Sequence, residues 1–363
     1  MEAGIVGLPY TGKSTLFQAL TGLEPDPGAG LKPHVGTAPI PDPRLDIISR
    51  FISAKKIVPA TLTTLDIPGL VRGSSEGKGM GNAFLTHIRD VDAIIQVVRC
   101  FTHSPGGQEV PHVEGSLNAK RDIETIDIEL ILADLQMVEN ALPRAEKSAR
   151  KKEPEALARL AILKKALPIL EEGEPLRGLP LENEEERKAF RGLAMLSAKP
   201  VLYVANVDED DVAGEGELAQ QVSAAAGAAG AEYIPVCAKL DAELAELDEA
   251  DRNEMLESLG LTEPALHSLA RAVYKLLGLQ SFYTAGDKEN RAWTVRQGST
   301  APEAAGTVHT DIERGFIRAE IYSVADLEKY ESEKAIKEAG KMRVEGKNYI
   351  MQDADVCHFL FNV

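Results

Sequence analysis

An eight-residue run, Gly7-Leu8-Pro9-Tyr10-Thr11-Gly12-Lys13-Ser14, constrains this chain more than any other feature. It matches G-x-x-x-x-G-K-[ST] and lies between a strand-like run, Ala3–Val6, and a helix-like one, Lys13–Thr21. Its glycines let the backbone wrap closely, so successive N–H groups converge on one point. The first turn of the helix adds the positive end of its dipole. Such a cradle receives phosphate. Lys13 reaches toward the outer phosphates and Ser14 offers a hydroxyl to Mg2+, with Pro9, Tyr10, Thr11, Gly12 and Thr15 completing the lining.

The rest of the pattern is consistent with the sheet that such a loop requires. Thr61–Leu65, Ala93–Val98, Val201–Ala205 and Tyr233–Val236 are short apolar runs separated by helical patterns. They predict an α/β fold with a doubly wound, mostly parallel sheet of the P-loop NTPase type. The first of these runs ends in Asp66-Ile67-Pro68-Gly69, the Asp-x-x-Gly of a switch-type NTPase. Asp66 is then a Mg2+ ligand, acting through water, and the Gly69 N–H senses the terminal phosphate. Leu70 follows, where Ras-type GTPases carry a Gln that orients the attacking water. Leucine cannot polarise water, so either hydrolysis is slow or another group supplies the function; His112, in the polar loop Pro111–Gly115, is one candidate and joins Gly69 in the catalytic set. Gly73–Gly81 holds four glycines in nine residues, as a mobile switch segment would.

The base end reads differently. Guanine specificity usually rests on Asn-Lys-x-Asp, but Val201–Ala205 runs into Asn206-Val207-Asp208-Glu209. Val207 replaces the stacking lysine and Glu209 the guanine-reading aspartate, whereas the Asn206 amide suits adenine. Cys237-Ala238-Lys239 stands where a Ser-Ala-Lys loop would close over the base. Asn206, Val207, Cys237, Ala238 and Lys239 therefore form the expected base site, with ATP as substrate.

Residues 117–198 interrupt this pattern. Ile128, Ile131, Leu135, Val138 and Leu142 keep a heptad seam, and so do Leu160, Leu163, Leu167 and Leu170 beyond a charged turn. They predict an antiparallel coiled-coil hairpin bent at Pro143 and Pro168, with a third helix over Glu184–Ser197. Arg144–Lys165 carries eight basic residues against three acidic ones, a positive tip suited to RNA or ribosomal phosphates. The whole chain, 363 residues with a formal net charge of −17, is no general binder of nucleic acid, and sequence-specific DNA is not an expected partner. Acidity gathers elsewhere, as in Asp241–Glu257 with its eight carboxylates. Apolar runs fall far short of a membrane span, and no secretory signal opens the chain. Three cysteines without C-x-x-C spacing predict buried thiols in a reducing, cytoplasmic compartment. After Leu279, strands at Ala292–Arg296, Gly315–Tyr322 and Val356–Val363 with a helix near Pro302–Ala305 predict a separate α+β module. Glu331–Gly340 reads as a charged turn.

With these residues in view, the chain resembles the YchF type of Obg-related P-loop ATPases along essentially its whole length. The resemblance rests on DIPGLVRGSSEGKGMGNAFL, RDIETI, AKLDAELAELDEADR, TAGDKENRAW and the closing HFLFNV. It implies a P-loop domain split over 1–116 and 199–278, an inserted coiled coil at 117–198, and a TGS-like, ubiquitin-like β-grasp domain at 279–363. It also implies a slow, Mg2+-dependent ATPase that prefers ATP to GTP and switches with its nucleotide. Such a protein associates with the ribosome or its large subunit, and in this chain the basic tip and the TGS-like domain are the expected contacts. The competing readings are an Obg-type GTPase and a nucleotide-sensing module without turnover. This chain departs from the family pattern at three points. Tyr10 and Thr11 replace Asn and Val in the phosphate loop. Gly30 falls where the first-switch Thr that caps Mg2+ belongs, and Thr37 is the nearest substitute.

Overall fold

The computed structural model describes residues 1–24, 32–69, 73, 81–103 and 107–362. The elements run β1 (Glu2–Val6), α1 (Lys13–Thr21), β2 (His34–Pro39), α2 (Pro43–Phe51), β3 (Ile57–Val58), β4 (Thr61–Asp66), α3 (Gly81–Asp90) and β5 (Ala93–Cys100). Three helices follow, α4 (Ala119–Ala149), α5 (Pro154–Glu171) and α6 (Glu184–Leu193). Then come β6 (Val201–Val207), α7 (Glu217–Ala228), β7 (Glu232–Val236), α8 (Ala238–Glu246), α9 (Glu249–Ser258) and α10 (Ala265–Leu276). The chain closes with β8 (Leu279–Thr284), β9 (Asn290–Arg296), α11 (Ala301–Val308), α12 (Thr310–Arg314), β10 (Phe316–Ser323), α13 (Val324–Tyr330), α14 (Glu333–Glu338), β11 (Arg343–Glu345) and β12 (Asp355–Phe361).

The first sheet has the order β2-β4-β1-β5-β6-β7, and the pairs β1/β4, β1/β5, β5/β6 and β6/β7 are all parallel. Every residue of β5 and β6 is buried, which is why their sequences lack the apolar–polar alternation of a half-exposed strand. Ile94, Val98, Tyr203 and Ala205 share a core with Leu240 and Leu244 of α8 and Val222 of α7. In a sheet of this kind the ligand lies beyond the carboxyl ends of the strands. Those ends run into Gly7, Ile67, Phe101, Asp208 and Cys237.

The inserted helices form the expected hairpin. α4 and α5 bury Ile131, Val138, Ala145, Ile162, Leu163, Ala166 and Leu170 together, and α6 adds Leu193. Pro143 and Pro168 lie inside continuous helices, and Pro154 opens α5 at a position where its missing N–H is harmless. Ile128 departs from the predicted seam and is 52% exposed. At its base α4 turns another face, Ile123, Ile126 and Leu130, to the sheet core, and Ile128 is left outside. Two sets of contacts, one buried and one half-buried, pin the hairpin's root. Asp134 accepts from the Leu196 N–H at 2.9 Å and from the Ser197 N–H and hydroxyl at 2.7 Å each, and burial raises its pKa. Arg177 donates to Asp127 at 2.8 Å, to the Lys199 carbonyl at 3.1 Å and to the Tyr203 hydroxyl at 3.4 Å.

The chain divides into two compact units, Met1–Gly36 with Thr63–Leu269, and Thr37–Leu62 with Ala270–Val363. The second carries the sheet β11-β10-β12-β8-β9-β3 around a core of Phe282, Val295, Phe316, Ile321 and Cys357. Its early segment differs from the expectation that residues 1–116 form one piece. β3 pairs in parallel with β9, Ile57 opposite Asn290 and Val58 opposite Arg291. The buried Asn290 amide donates to Ser49 Oγ at 3.2 Å and to the Ile52 carbonyl at 2.7 Å. Arg44 joins Asp42 at 2.7 Å and Asp353 at 2.6 Å, and the Tyr283 hydroxyl donates to Asp42. Burial opposes the Asp42 charge, yet the donors from Arg44 and Tyr283 leave its carboxyl below the ordinary range. The stretch expected as a turn at 331–340 instead contains α14, capped by Ser332 and anchored by the fully buried Ile336.

Candidate functional site

The phosphate end forms because β1 stops at Gly7. A Cβ there would stand 2.6 Å from the Val97 carbonyl oxygen, so only glycine lets the loop turn against β5. At the other end of the loop Gly12 caps α1 with φ 85°, a left-handed conformation that L side chains resist. Between them Thr11 is buried and its hydroxyl donates to the Leu8 carbonyl at 3.0 Å. Tyr10 also takes a positive φ, 64°, with 60% of its surface exposed. Pro9 is half-buried, while Ser14 and Thr15 open to solvent.

Three segments bring their polar groups to this end. Lys13 is 8% exposed and donates to the Leu8 carbonyl at 2.8 Å. Burial lowers its pKa to about 8, against the pull of the Asp66 charge. The Ser14 hydroxyl donates to Asp66 Oδ2 at 2.8 Å, and burial raises the Asp66 carboxyl above its ordinary range. Gly69 passes so close that a Cβ on it would lie 3.2 Å from the Pro9 nitrogen and 3.3 Å from Lys13 Nζ. Lys13, Ser14, Asp66 and Gly69 thus share one corner. No group of three or more His, Cys, Asp or Glu residues forms a metal cluster among the described residues. The hard oxygens of Ser14 and Asp66 fit Mg2+, which takes few protein ligands and completes its shell with water and substrate phosphates.

The base end is a cleft of about 450 Å3 lined by Gly12, Thr15, Phe101–His103, Asn206–Asp210 and Cys237–Lys239. Asn206, the expected base reader, also ties two loops together. Its Nδ2 donates to the Thr11 carbonyl at 2.9 Å and its Oδ1 accepts from the Ala238 N–H at 3.1 Å. The amide therefore clasps the phosphate loop to the 237–239 loop, leaving one N–H and one lone pair for a base. Glu209 is ion-paired with Lys239, whose pKa rises through that hydrogen bond. Cys237 is buried, and burial pushes its thiol up to about 11. It contributes to the cleft lining. Val207 is buried at the end of β6.

His112 is absent from the cleft lining. Its Nε2 lies 2.8 Å from Asp122 and its Nδ1 accepts from the Glu114 N–H at 3.1 Å, so both ring nitrogens are engaged. Thr37 lies exposed on β2 as the first residue of the second unit. Gly30, Leu70 and most of the predicted switch 73–81 fall outside the described residues. Gly73 is described, and its N–H donates to the buried Glu129 of α4 at 2.6 Å. Phe101, Thr102 and His103 escaped the sequence reading because no motif marks them. The available signal was positional, since they follow the carboxyl end of a wholly buried, mostly apolar strand.

Fold and site together define a P-loop nucleotide-binding protein of the switch type. A family model described as a 50S ribosome-binding GTPase matches residues 2–141. A second, the YchF GTPase C-terminal domain, described as a protein of unknown function, matches residues 279–362. The chain is 49% identical, over 100% of its length and 99% of the relative's, to "Ribosome-binding ATPase YchF" of Escherichia coli O157:H7. It is 46% identical to the Bacillus subtilis (strain 168) protein of the same description, over 100% of both. A solved structure described as the Schizosaccharomyces pombe YchF GTPase superposes with a TM-score of 0.86 at 34% identity, covering 99% of this chain and 97% of that one. The chain belongs to the YchF family.

Proposed function

We propose that this protein is a slow, Mg2+-dependent ATPase that acts as a nucleotide-dependent switch on the ribosome or its large subunit. One observation favours ATP above the rest: the Lys239 ammonium neutralises Glu209, the carboxylate at the guanine-reading position of the cleft. A guanine would find its aspartate replaced by an engaged glutamate, whereas adenine needs only the free half of the Asn206 amide. The relatives described as ribosome-binding ATPases support the same reading. At the phosphate end Ser14 and Asp66 would hold Mg2+, which screens the charge of the outer phosphates. Lys13 leaves the Leu8 carbonyl to pair with phosphate, and the Gly69 N–H donates to the terminal phosphoryl group.

His112 is the proposed water-orienting group, acting only when its Asp122 and Glu114 contacts open. That requirement accords with slow turnover in the absence of a partner. At the far end of the hairpin the exposed Arg150, Lys151 and Lys152 form the proposed RNA contact, and residues 279–363 a second, TGS-like one. No helix among the described residues is long and apolar enough to cross a membrane, and we place the protein in the cytoplasm with ribosomes. Competition between fluorescent ADP and GDP tests the base preference. Tighter GDP would overturn it in favour of an Obg-type GTPase. Phosphate release with and without ribosomes tests the switch, and no release in either case would leave a nucleotide sensor without turnover.

A further inference from the structure

Arg99 is 1% exposed at the carboxyl end of β5, and its guanidinium is directed at backbone. Nε donates to the Phe101 carbonyl at 2.9 Å and Nη1 to the Pro111 carbonyl at 3.0 Å. Nη2 donates to the Val110 carbonyl at 2.8 Å and to the Thr102 carbonyl at 3.3 Å. These four acceptors are neutral and come from the two ends of one loop. The same guanidinium lies 5.0 Å from the centre of the Phe101 ring. Other contacts among the loop's described residues are few, and one joins Thr102 Oγ1 to His103 Nδ1 at 2.7 Å. Val110 N–H donates to the Thr102 carbonyl at 3.2 Å, His103 and Glu109 form an isolated bridge, and Thr102 N–H reaches Asp208 at 3.3 Å.

Phe101, Thr102 and His103 are one wall of the base cleft, and they lie on no strand or helix of their own. Arg99 also stands directly opposite Asn206 in the β5–β6 register. The residue that holds the wall and the residue that clasps the phosphate loop are therefore cross-strand neighbours. We propose that Arg99 is a positioning residue for base selection: by gathering the carbonyls of residues 101, 102, 110 and 111 it holds Phe101–His103 at the width an adenine requires. This rests on the reading of the cleft as the base site. Lysine cannot replace it, because one ammonium lacks the planar fork that spans both ends of the loop. Carbonyls left without donors would draw in water, and the wall would relax.

The experiment measures three ligands, inorganic tripolyphosphate, ADP and GDP, on the full chain and on R99K. Tripolyphosphate reports the phosphate end alone. In R99K its affinity should stay within about twofold of the parent, whereas ADP affinity falls roughly tenfold and the ADP:GDP ratio moves toward one. A purely structural role would weaken all three ligands in parallel or none, and either pattern overturns the proposal. If R99K does not fold, Phe101→Ala removes the wall's side chain and leaves β5 intact. It carries the same expectation, and an unchanged ADP:GDP ratio there overturns the proposal equally. Failure of the underlying reading looks different, because the parent chain itself would then bind ADP no more tightly than tripolyphosphate.

Discussion

The two ends of the nucleotide site are built by opposite means. The phosphate end comes from two short runs, Gly7–Ser14 and Asp66–Gly69, and works mainly through backbone, with Lys13, Ser14 and Asp66 as its polar side chains. The base end takes its walls from segments near residues 12, 101, 206 and 237, which only the stacking of β5, β6 and β7 brings together. On the proposed reading, recognition of phosphate is local in sequence, while choice of base depends on long-range packing. The ends meet at one point, where Asn206 lies over Gly12 and holds the Thr11 carbonyl.

Gly12→Ala strikes that junction and should have the largest effect. The added Cβ would lie 2.1 Å from Asn206 Nδ2, in a backbone at φ 85°. Left-handed strain and a lost buried hydrogen bond together cost about 3 kcal/mol, roughly a hundredfold in nucleotide affinity. ADP, GDP and tripolyphosphate should all weaken. If tripolyphosphate binding survives, the two ends are separable even where they touch.

A smaller effect isolates the phosphate end. With burial holding Lys13 near pKa 8 before phosphate arrives, the free protein loses that proton as pH rises through 8. Phosphate binding restores the charge, so it takes up a proton above that pH. Affinity for ADP should therefore fall about 30-fold between pH 7 and 9.5, while adenosine, which lacks phosphate, holds steady. A flat ADP profile would show that Lys13 stays charged in the empty site.

The base end is probed by Glu209→Ala. Its ion pair with Lys239 is half exposed, so the fold should lose little. Freed from Glu209, the ammonium can donate to the O6 and N7 of guanine but meets the amino group of adenine. GDP should gain about fivefold on ADP in equilibrium titration. An unchanged ratio would reduce the pair to a surface contact at the rim.

The same contrast explains what the sequence made legible. Gly7–Ser14 and Asp66–Gly69 carry their chemistry in consecutive residues, and β5 and β6 announce their burial in mostly apolar runs interrupted by Gln96, Arg99 and Asn206. Phe101–His103 and Arg99 carry no local signal, because their role exists only once β5 lies beside β6. Thr37–Leu62 misled for the same reason, since Arg44, Ser49 and Ile57 find their partners at Asp353 and Asn290, well over two hundred residues away. Ile128 kept the heptad spacing, but nothing in that spacing reveals that the root of α4 faces a sheet and not its partner helix.

Tyr10→Asn should have the smallest effect, and it asks whether the phosphate end is stiff at the cost of strain. Tyr10 sits at φ 64°, where an L side chain costs about 1–2 kcal/mol and asparagine rather less. With 60% of its surface exposed, the tyrosine ring surrenders little packing when removed. The variant should be about 1 kcal/mol more stable, visible as a rise of roughly 2 °C in Tm, because a chain of this length converts 1 kcal/mol into a few degrees. Tripolyphosphate affinity should move less than about twofold, since the groups proposed to hold phosphate, Lys13 and backbone N–H, are left in place by the substitution. A gain in stability with unchanged affinity means the strain lies outside the binding geometry. A loss of affinity together with the gain means that Tyr10 holds the loop open in a shape the asparagine lets go.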